Sequence, residues 1–243
     1  MPATSLRAQT SDPDRDGEDN QSEAASGTGP FYFTRVTRTG KELDVSTRLQ
    51  VDTGQHVGIT GFIISGSTSK QIIVRALGPT LAQFGVPGVL QNPALDLYDS
   101  SNNLIASNDN WKSSQQVEIQ ASGYPPGDDR EGAIIQTLAP GNYTAVVRGV
   151  NATVGAALLE VHDLGQSSDA LITNLSTRGV VGTNANVMIG GFTVGGGLGI
   201  NGDGSSKVLV RALGPELTSF GITDALQDPK MDLFDGNGNL LMS

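Results

Sequence analysis

The chain has 243 residues and a formal net charge of −10, from 25 acidic and 15 basic side chains. This excess of negative charge disfavours nucleic acid and anionic membranes as partners and favours cations as small ligands. Cysteine is absent, so disulfides and thiolate metal sites are excluded. No apolar run approaches the roughly 18 residues that a membrane-spanning helix needs. The 32 glycines and 11 prolines indicate short strands joined by turns.

Residues 1–30 are polar and acidic, and they contain a match to the calcium-loop pattern D-x-D-x-D-G followed by a closing Glu. In such a loop three aspartates converge on the ion and a glycine permits the sharp turn. A backbone carbonyl, an asparagine and both oxygens of the last glutamate complete the shell. The pattern predicts one Ca²⁺ site, with an acidic linker as the alternative. The predicted ligands are Asp12, Asp14, Asp16, Glu18 through its backbone carbonyl, Asn20 and Glu23.

One position of this loop departs from the usual pattern of paired EF-hands. Asp19 stands where those loops normally carry an aliphatic residue. The Asp-Pro-Asp start at 12–14, Asn20 and the trailing Gly-Thr-Gly-Pro at 27–30 resemble the lone calcium loops of bacterial thrombospondin-type-3-like repeats. That resemblance implies a spacer stiffened by Ca²⁺.

From residue 31 onward, short apolar runs alternate with turns rich in Gly, Ser, Asn and Pro. The number and spacing of these runs favour an all-β fold, an antiparallel β-sandwich of jelly-roll or immunoglobulin-like type. Pro79 precedes a run at 81–84 that predicts one helical turn capping the sandwich. The predicted strands are 57–64, 72–77, 95–98, 104–106, 133–138, 143–150 and 156–161.

Three segments in this part of the chain resemble the bacterial pre-peptidase C-terminal domain. They are Leu-Asp-Leu-Tyr-Asp at 95–99, Leu-Ile-Ala-Ser-Asn-Asp at 104–109 and Leu-Ala-Pro-Gly-Asn-Tyr-Thr-Ala-Val-Val at 138–147. The likeness covers about residues 93–164. It implies a β-sandwich of the kind appended to secreted hydrolases, with Ca²⁺ bound in some relatives.

The chain also repeats itself. Residues 72–107 and 208–243 align without a gap and share 18 identities over 36 positions, including Val-Arg-Ala-Leu-Gly-Pro in both. Upstream the offset changes from 136 to 130, where Ser-Thr-Arg at 46–48 recurs at 176–178 and Gly-Phe at 61–62 recurs at 191–192. A period this long is that of a domain with its own core.

The repeat predicts three parts. An acidic linker with the calcium loop occupies 1–30, a first β-sandwich repeat occupies 31–166, and an incomplete second repeat occupies 170–243. The second repeat stops at Ser243, opposite Ser107 of the first, and lacks a counterpart of everything that follows Ser107. We therefore expect a fragment of a longer tandem array.

Four motifs resemble an uncharacterised repeat of large secreted bacterial proteins. They are Ser-Thr-Arg at 46–48, Ala-Leu-Gly-Pro at 76–79, Asn-Asp-Asn-Trp at 108–111 and Glu-Val-x-Asp-Leu at 160–164. This resemblance implies an extracellular, non-catalytic role and supplies no ligand.

Two features between the predicted strands have a binding and a structural interpretation. A cluster of oxygen-bearing side chains would form a second cation site, or its members would bond the nearby backbone in Asx turns, which we favour. Trp111, the only tryptophan, would be a sugar-stacking platform or, as we favour, a core side chain. The cluster consists of Asn108, Asp109, Asn110, Asp128, Asp129 and Glu131.

A charged residue sits inside an apolar run in both repeats. Arg75 and Arg211 each precede an aspartate by 21 residues, Asp96 and Asp232 respectively. A buried or half-buried ion pair between arginine and aspartate would set strand register. An arginine pointing into solvent is the equal alternative.

Residues with catalytic potential are few. His56 and His162 are the only histidines, and both fall in strand-like segments. The nucleophile elbow, the P-loop and the zinc-protease helix are not present. Residues 197–202 match the dinucleotide fingerprint but run into a strand-like segment, so no helix start is available for a pyrophosphate. We predict no enzymatic activity and no catalytic residue.

Together these patterns predict a non-catalytic structural or adhesive module of a secreted or cell-surface bacterial protein, stiffened by Ca²⁺. The expected partners are extracellular or cell-surface polysaccharides or other surface proteins. The expected location is extracellular, although the sequence begins without a signal-peptide pattern. The alternative is a carbohydrate-binding accessory domain of a secreted hydrolase.

Overall fold

The structure is a computed structural model that describes residues 45–165, 170–193 and 208–243. The predicted calcium loop, from Asp12 to Glu23, and the glycine-rich stretch 197–202 lie outside these ranges. Within them strands predominate over short helices. The predicted all-β class is therefore confirmed.

Two five-stranded antiparallel sheets form a β-sandwich. The first sheet has the strand order β10-β1-β8-β3-β6, and the second has the order β5-β4-β7-β2-β9. A separate hairpin of β11 and β12 lies near the end of the chain. The strands are β1 Val45–Val51, β2 Gly58–Gly66, β3 Lys70–Leu77, β4 Pro93–Asp99, β5 Leu104–Asn108, β6 Gly132–Leu138, β7 Gly141–Gly149, β8 Gly155–Asp163, β9 Ala170–Arg178, β10 Ile189–Phe192, β11 Leu233–Phe234 and β12 Leu240–Met242.

The main core lies between the two sheets. Burial alternates residue by residue along β1 and β2, because successive side chains of a strand point to opposite faces of its sheet. From β1 the alternation places Leu49 and Val51 inside, and from β2 it places Phe62 and Ile64 inside. Removing these side chains from water provides the main drive for the two sheets to stack.

Strand β3 is buried on both of its faces. Val74 belongs to the main core, whereas Ile73 packs on the outer face with Trp111 and Ile119 in a second cluster. The connection between β5 and β6 supplies that outer cover through a 3₁₀ turn at Trp111–Ser113 and a short helix, α1, at Gln116–Ala121. The apolar run of β3 is continuous because one face of the strand packs in the main core and the other packs in the outer cluster.

The strands predicted from the apolar runs are all present, with ends that differ by a few residues. The predicted turn after Pro79 is also confirmed, as a 3₁₀ helix at Pro79–Phe84. Strand β1, helix α1 and strands β9 to β12 were not predicted. Polar residues alternate with Leu49 and Val51 in β1, and α1 is too short for a helical period to emerge.

None of the helices in the described ranges has the length and apolar character that crossing a bilayer requires.

Candidate functional site

The junction between the two repeats is built from paired strands. Strand β9 extends the second sheet by pairing with β2, and β10 extends the first sheet by pairing with β1. Both β9 and β10 belong to the predicted second repeat, 170–243, yet each lies at the edge of a sheet of the first. The division at 166–170 stays a prediction about the chain, while the sheets continue across it.

Three threonines meet where these added strands face the sandwich interior. The Thr177 hydroxyl lies 3.0 Å from the Thr47 hydroxyl and 3.1 Å from the Thr60 hydroxyl. Thr47 and Thr60 are buried, so their hydroxyls need such partners. The three hydroxyls therefore connect β1, β2 and β9 across both layers of the sandwich. We call β1, β2, β9 and β10 with these threonines the joint.

Strand pairing at the joint also requires small residues. A Cβ atom added at Gly61 would lie 3.0 Å from the Ser176 hydroxyl oxygen, and one added at Gly191 would lie 3.0 Å from the Ser46 hydroxyl oxygen. Both distances are tighter than an ordinary van der Waals contact. The Gly-Phe motif noted in each repeat thus serves the close approach of β1 to β10 and of β2 to β9.

Glu131 fastens the long β5–β6 connection to the sandwich. Its fully buried carboxylate accepts hydrogen bonds from the backbone N–H groups of Gly78 and Thr80, at 2.9 and 2.8 Å, and from the Thr80 hydroxyl at 2.6 Å. The Asp128 N–H adds a further bond at 3.2 Å. These donors compensate the cost of burying a charge, and they pin the Ala-Leu-Gly-Pro motif of the first repeat.

Trp111 is a core side chain. It is 4% exposed, packs with Ile119 in the outer cluster, and donates its indole N–H to the Asp128 carbonyl at 3.2 Å. The favoured core interpretation is confirmed. The sugar-stacking interpretation is wrong for this residue, because a stacking platform must present its face to solvent.

Three of the six members of the proposed second cation cluster, Asn108, Asp128 and Glu131, bond to the backbone. Asn108 accepts from the Ala133 N–H and donates to the Asn110 carbonyl, and Asp128 accepts from the Arg130 N–H. Among the described residues no group of three or more acidic, histidine or cysteine side chains is placed to hold a metal. The predicted calcium ligands Asp12, Asp14, Asp16, Glu18, Asn20 and Glu23 lie outside that part of the chain.

Asp128 is held ionised by its neighbour. The Arg130 guanidinium donates to both carboxylate oxygens at 2.8 Å. This hydrogen bonding lowers the pKa of Asp128 to about 2. The carboxylate thus remains charged at the turn that carries Glu131. Asp109 and Asp129, the remaining acidic members of the cluster, bond to Asn110 and Lys112 respectively.

Arg75 lies at the centre of a polar group on the outer face of the first sheet. It pairs with Glu160, its direct neighbour on β8, and donates to the Tyr124 carbonyl at 3.1 Å. The His162 ring stacks on Tyr124 with ring centroids 4.3 Å apart. Burial acts to raise the pKa of Glu160, but hydrogen bonding to His162 and the Arg75 charge outweigh it, so the pKa is lowered.

Of the two interpretations of Arg75, neither holds, because the side chain is largely buried against Glu160 and does not pair with Asp96. Asp96 lies in β4 of the second sheet, whereas Arg75 lies in β3 of the first. Asp96 instead accepts hydrogen bonds from Arg148 on β7, at 3.0 Å, and from Ser107 on β5. Each charge therefore pairs with a strand of its own sheet. Both pairs fix the register of adjacent strands.

A buried ion pair also joins the start of β3 to the end of β8. Lys70 is 2% exposed, and its ammonium donates to Asp163 at 2.5 Å and to the Gly165 carbonyl at 2.9 Å. His56 is by contrast exposed and lies 2.7 Å from Asp224. These ion pairs link strands and turns to one another, and removal of one partner from the buried pairs would leave an uncompensated charge.

Comparison with known proteins gives similarity to solved structures alone. No family model and no curated protein matches the chain. Among solved structures, the chain is similar to the pre-peptidase C-terminal domain of a collagenase from Bacillus anthracis, with a TM-score of 0.30 and 15% sequence identity. The match covers 48% of this chain and 86% of that domain. The strand order described above, and not this similarity, defines the fold.

Proposed function

We propose that this chain is a non-catalytic structural module of an extracellular or cell-surface bacterial protein, in which tandem β-sandwich repeats act as a stiff spacer. The observation that carries the proposal is the joint. Successive repeats are connected by β-ladders, since β10 pairs with β1 and β9 pairs with β2. A spacer needs repeats that keep a fixed orientation, and such ladders provide one.

The joint resists bending because it involves both layers of the sandwich. Strand β10 extends the first sheet while β9 extends the second, so tilting one repeat against the other strains two ladders at once. Backbone hydrogen bonds left unpaired in the process are costly when buried. The three threonine hydroxyls between the layers add a polar link that the same motion would break.

A calcium-stiffened lead-in would extend this spacer at residues 1–30. The ligand pattern Asp12, Asp14, Asp16, Glu18, Asn20 and Glu23 provides hard oxygen donors of the kind that Ca²⁺ prefers. An ion at this place would hold the converging ligands in a compact turn.

The carbohydrate-binding alternative loses its sequence support in the described residues. It depended on an aromatic platform at Trp111, which is buried and hydrogen-bonded to Asp128. Retention on insoluble polysaccharide that survives Trp111→Phe but is lost on substitution of surface residues would restore this alternative.

Stiffness of the joint is measured by distances between spin labels. Because the chain has no cysteine, labels attach only where cysteines are introduced. We place them at the exposed residues Ser101 and Thr218, in the first repeat and in the part of the second repeat beyond the joint, and at Ser101 and Thr137 within the first repeat as the control. Equal widths of the two distance distributions are expected. A much broader distribution for the pair that spans the joint would contradict the spacer.

Calcium binding is tested on the full chain by calorimetry. We expect one Ca²⁺ site that is lost in Glu23→Gln, because the amide cannot offer two charged oxygens to the ion. Glu18→Gln is the matched control, since Glu18 would ligate through its backbone carbonyl and the substitution should leave binding in place. Equal binding by the two variants, or none in the unaltered chain, would leave the acidic-linker interpretation.

A further inference from the structure

The two ladders of the joint, β1 with β10 and β9 with β2, use the same residue pairing. Adding the repeat offset of 130 to Ser46 and subtracting it from Gly191 converts the pair Ser46↔Gly191 into Ser176↔Gly61, which is also observed. All four pairs between β1 and β10 have such a counterpart between β9 and β2. The pairs are Val45↔Phe192 with Leu175↔Phe62, Ser46↔Gly191 with Ser176↔Gly61, Thr47↔Gly190 with Thr177↔Thr60, and Arg48↔Ile189 with Arg178↔Ile59.

Reciprocal pairing of this kind places a local two-fold axis at the joint. Thr47 and Thr177 are equivalent residues of the two repeats, and their hydroxyls contact each other directly at 3.0 Å. A residue meets its own equivalent only on a two-fold axis. The equal close approaches at Gly61 and Gly191, both 3.0 Å to the equivalent serines, obey the same symmetry.

We call the side of the first repeat that is formed by β1 of the first sheet and β2 of the second sheet the β1–β2 edge. We infer that this edge is a self-complementary docking surface, and that its partner is the β1–β2 edge of a second copy of the same repeat. In this chain β9 and β10 of the second repeat occupy it. When the first repeat stands alone, two copies close on each other through the same registers. The inference deepens the proposed structural role, since it names the partner of the joint.

The residues at the joint suit that exchange. Of the eight paired positions, six carry the same residue in both repeats. The two differences are Val45 for Leu175 and Thr60 for Gly190. A Cβ added at Gly190 meets no atom within 4 Å, so a threonine fits there, and its hydroxyl would face Thr47 as Thr60 already faces Thr177.

A two-fold joint also limits the size of the assembly. Each repeat has one β1–β2 edge, and this edge is fully covered when it pairs with the β1–β2 edge of one other repeat. The contact therefore closes at two copies and does not propagate into a fibre. In a lone repeat β1 would still pair with β8 and β2 with β7. The N–H and C=O groups on their outer sides would be left unpaired, which is an aggregation hazard. A tandem array is accordingly organised in pairs of repeats.

The first repeat is self-contained enough to be tested alone. Residues 45–165 include β1 to β8, which provide four strands to each sheet. Of the 19 buried residues in the main core, 17 lie in this range, and β9 adds only Ala170 and Ile172. The whole outer cluster around Trp111 lies within it as well.

The experiment measures the association of residues 45–165 by analytical ultracentrifugation and by cross-linking. We expect a folded dimer, and we expect Thr47→Cys to give a disulfide-linked dimer under mild oxidation because this residue faces its own equivalent across the axis. Ser46→Cys is the control, since it faces Gly61 of the other copy and not itself. A folded monomer, or a fragment that does not fold without β9 and β10, overturns the inference.

A second arm uses the full chain. Thr47→Cys alone should stay uncrosslinked, because Thr177 of the same chain occupies the facing position. Adding Ser176→Pro and Gly191→Pro removes β9 and β10 from the edge, and cross-linked dimers should then appear. Their failure to appear counts against the inference. If residues 45–165 are monomeric while the spin-label distances in the full chain are narrowly distributed, the inferred pairing of two copies is wrong but the proposed spacer role is still supported.

Discussion

At the scale of single residues, buried charges hold strands and connections in place. Glu131 ties the β5–β6 connection to Gly78 and Thr80, and Arg75 ties β3 to Glu160 on β8. The sequence left two equal interpretations of Arg75, an ion pair with Asp96 or a side chain pointing into solvent, and neither is the one observed. The spacing of 21 residues was misleading because strands that follow one another in the sequence of a sandwich often lie in different sheets, as β3 and β4 do.

Glu131→Ala should destabilise the fold strongly. The substitution leaves buried backbone donors without an acceptor, which we expect to lower the free energy of unfolding by roughly 3 kcal/mol. The measurement is urea denaturation at neutral pH. Glu118→Ala on α1 is the control, since Glu118 is exposed and should change stability by less than about 0.5 kcal/mol. Equal effects of the two would show that the buried carboxylate does not secure the connection.

Glu160 should make stability sensitive to acid. Its folded pKa lies below the ordinary value of 4.5, so its ion pair stabilises the fold fully above that value. The contribution is lost as the pH falls through the lowered folded pKa. Denaturation at pH 7 and at acidic pH should therefore give a larger difference for the unaltered chain than for Glu160→Gln. Identical pH dependence in the two would contradict the assigned pairing.

At the scale of elements, comparing the two repeats shows which structures form from local sequence and which need distant partners. The 3₁₀ helix Pro79–Phe84 recurs as Pro215–Phe220, each ending at a left-handed glycine. Asp99 and Asp235 organise the same turn with the asparagine four residues later. Strand β3 has no counterpart at 208–214, where the chain forms no ladder. Turns follow from their own residues, whereas strands also need partners.

This contrast explains how much of the fold could be predicted. Apolar runs and turn residues located strands β2 to β8 and the turn at Pro79, since these patterns are local. Pairing partners were not readable, because nothing in the residues of β9 shows that it joins β2 and not a sheet of its own. The sequence did contain one signal of the joint, the shared Ser-Thr-Arg and Gly-Phe motifs.

Hydrogen exchange should distinguish the two copies of Val-Arg-Ala-Leu-Gly-Pro. Val74 is fully buried in a strand paired on both sides, while Val210 is 37% exposed. We expect the amides of β3 to exchange orders of magnitude more slowly than those of 208–213. Mass spectrometry of peptides covering each copy provides the comparison. Similar protection of the two would show that the second repeat forms its own ladder there.

At the scale of the whole molecule, the joint decides how the repeats act together. Two ladders and a cluster of threonine hydroxyls connect them in place of a free linker. The local two-fold symmetry explains why the Ser-Thr-Arg and Gly-Phe motifs occur in both repeats, since each half of the joint needs both. The proposed spacer role requires that one repeat fix the orientation of the next, and these two ladders are the contacts that would do so.

An engineered disulfide in the full chain tests the joint most directly. Thr60 and Thr177 are paired across β2 and β9 with hydroxyls 3.1 Å apart, so Thr60→Cys with Thr177→Cys should form an intramolecular disulfide spontaneously and raise stability by up to about 4 kcal/mol. Thr60→Cys with Ser176→Cys should not, because Ser176 points to the opposite face of the sheet. Failure of the first pair to oxidise, or equal oxidation of both, would contradict the joint.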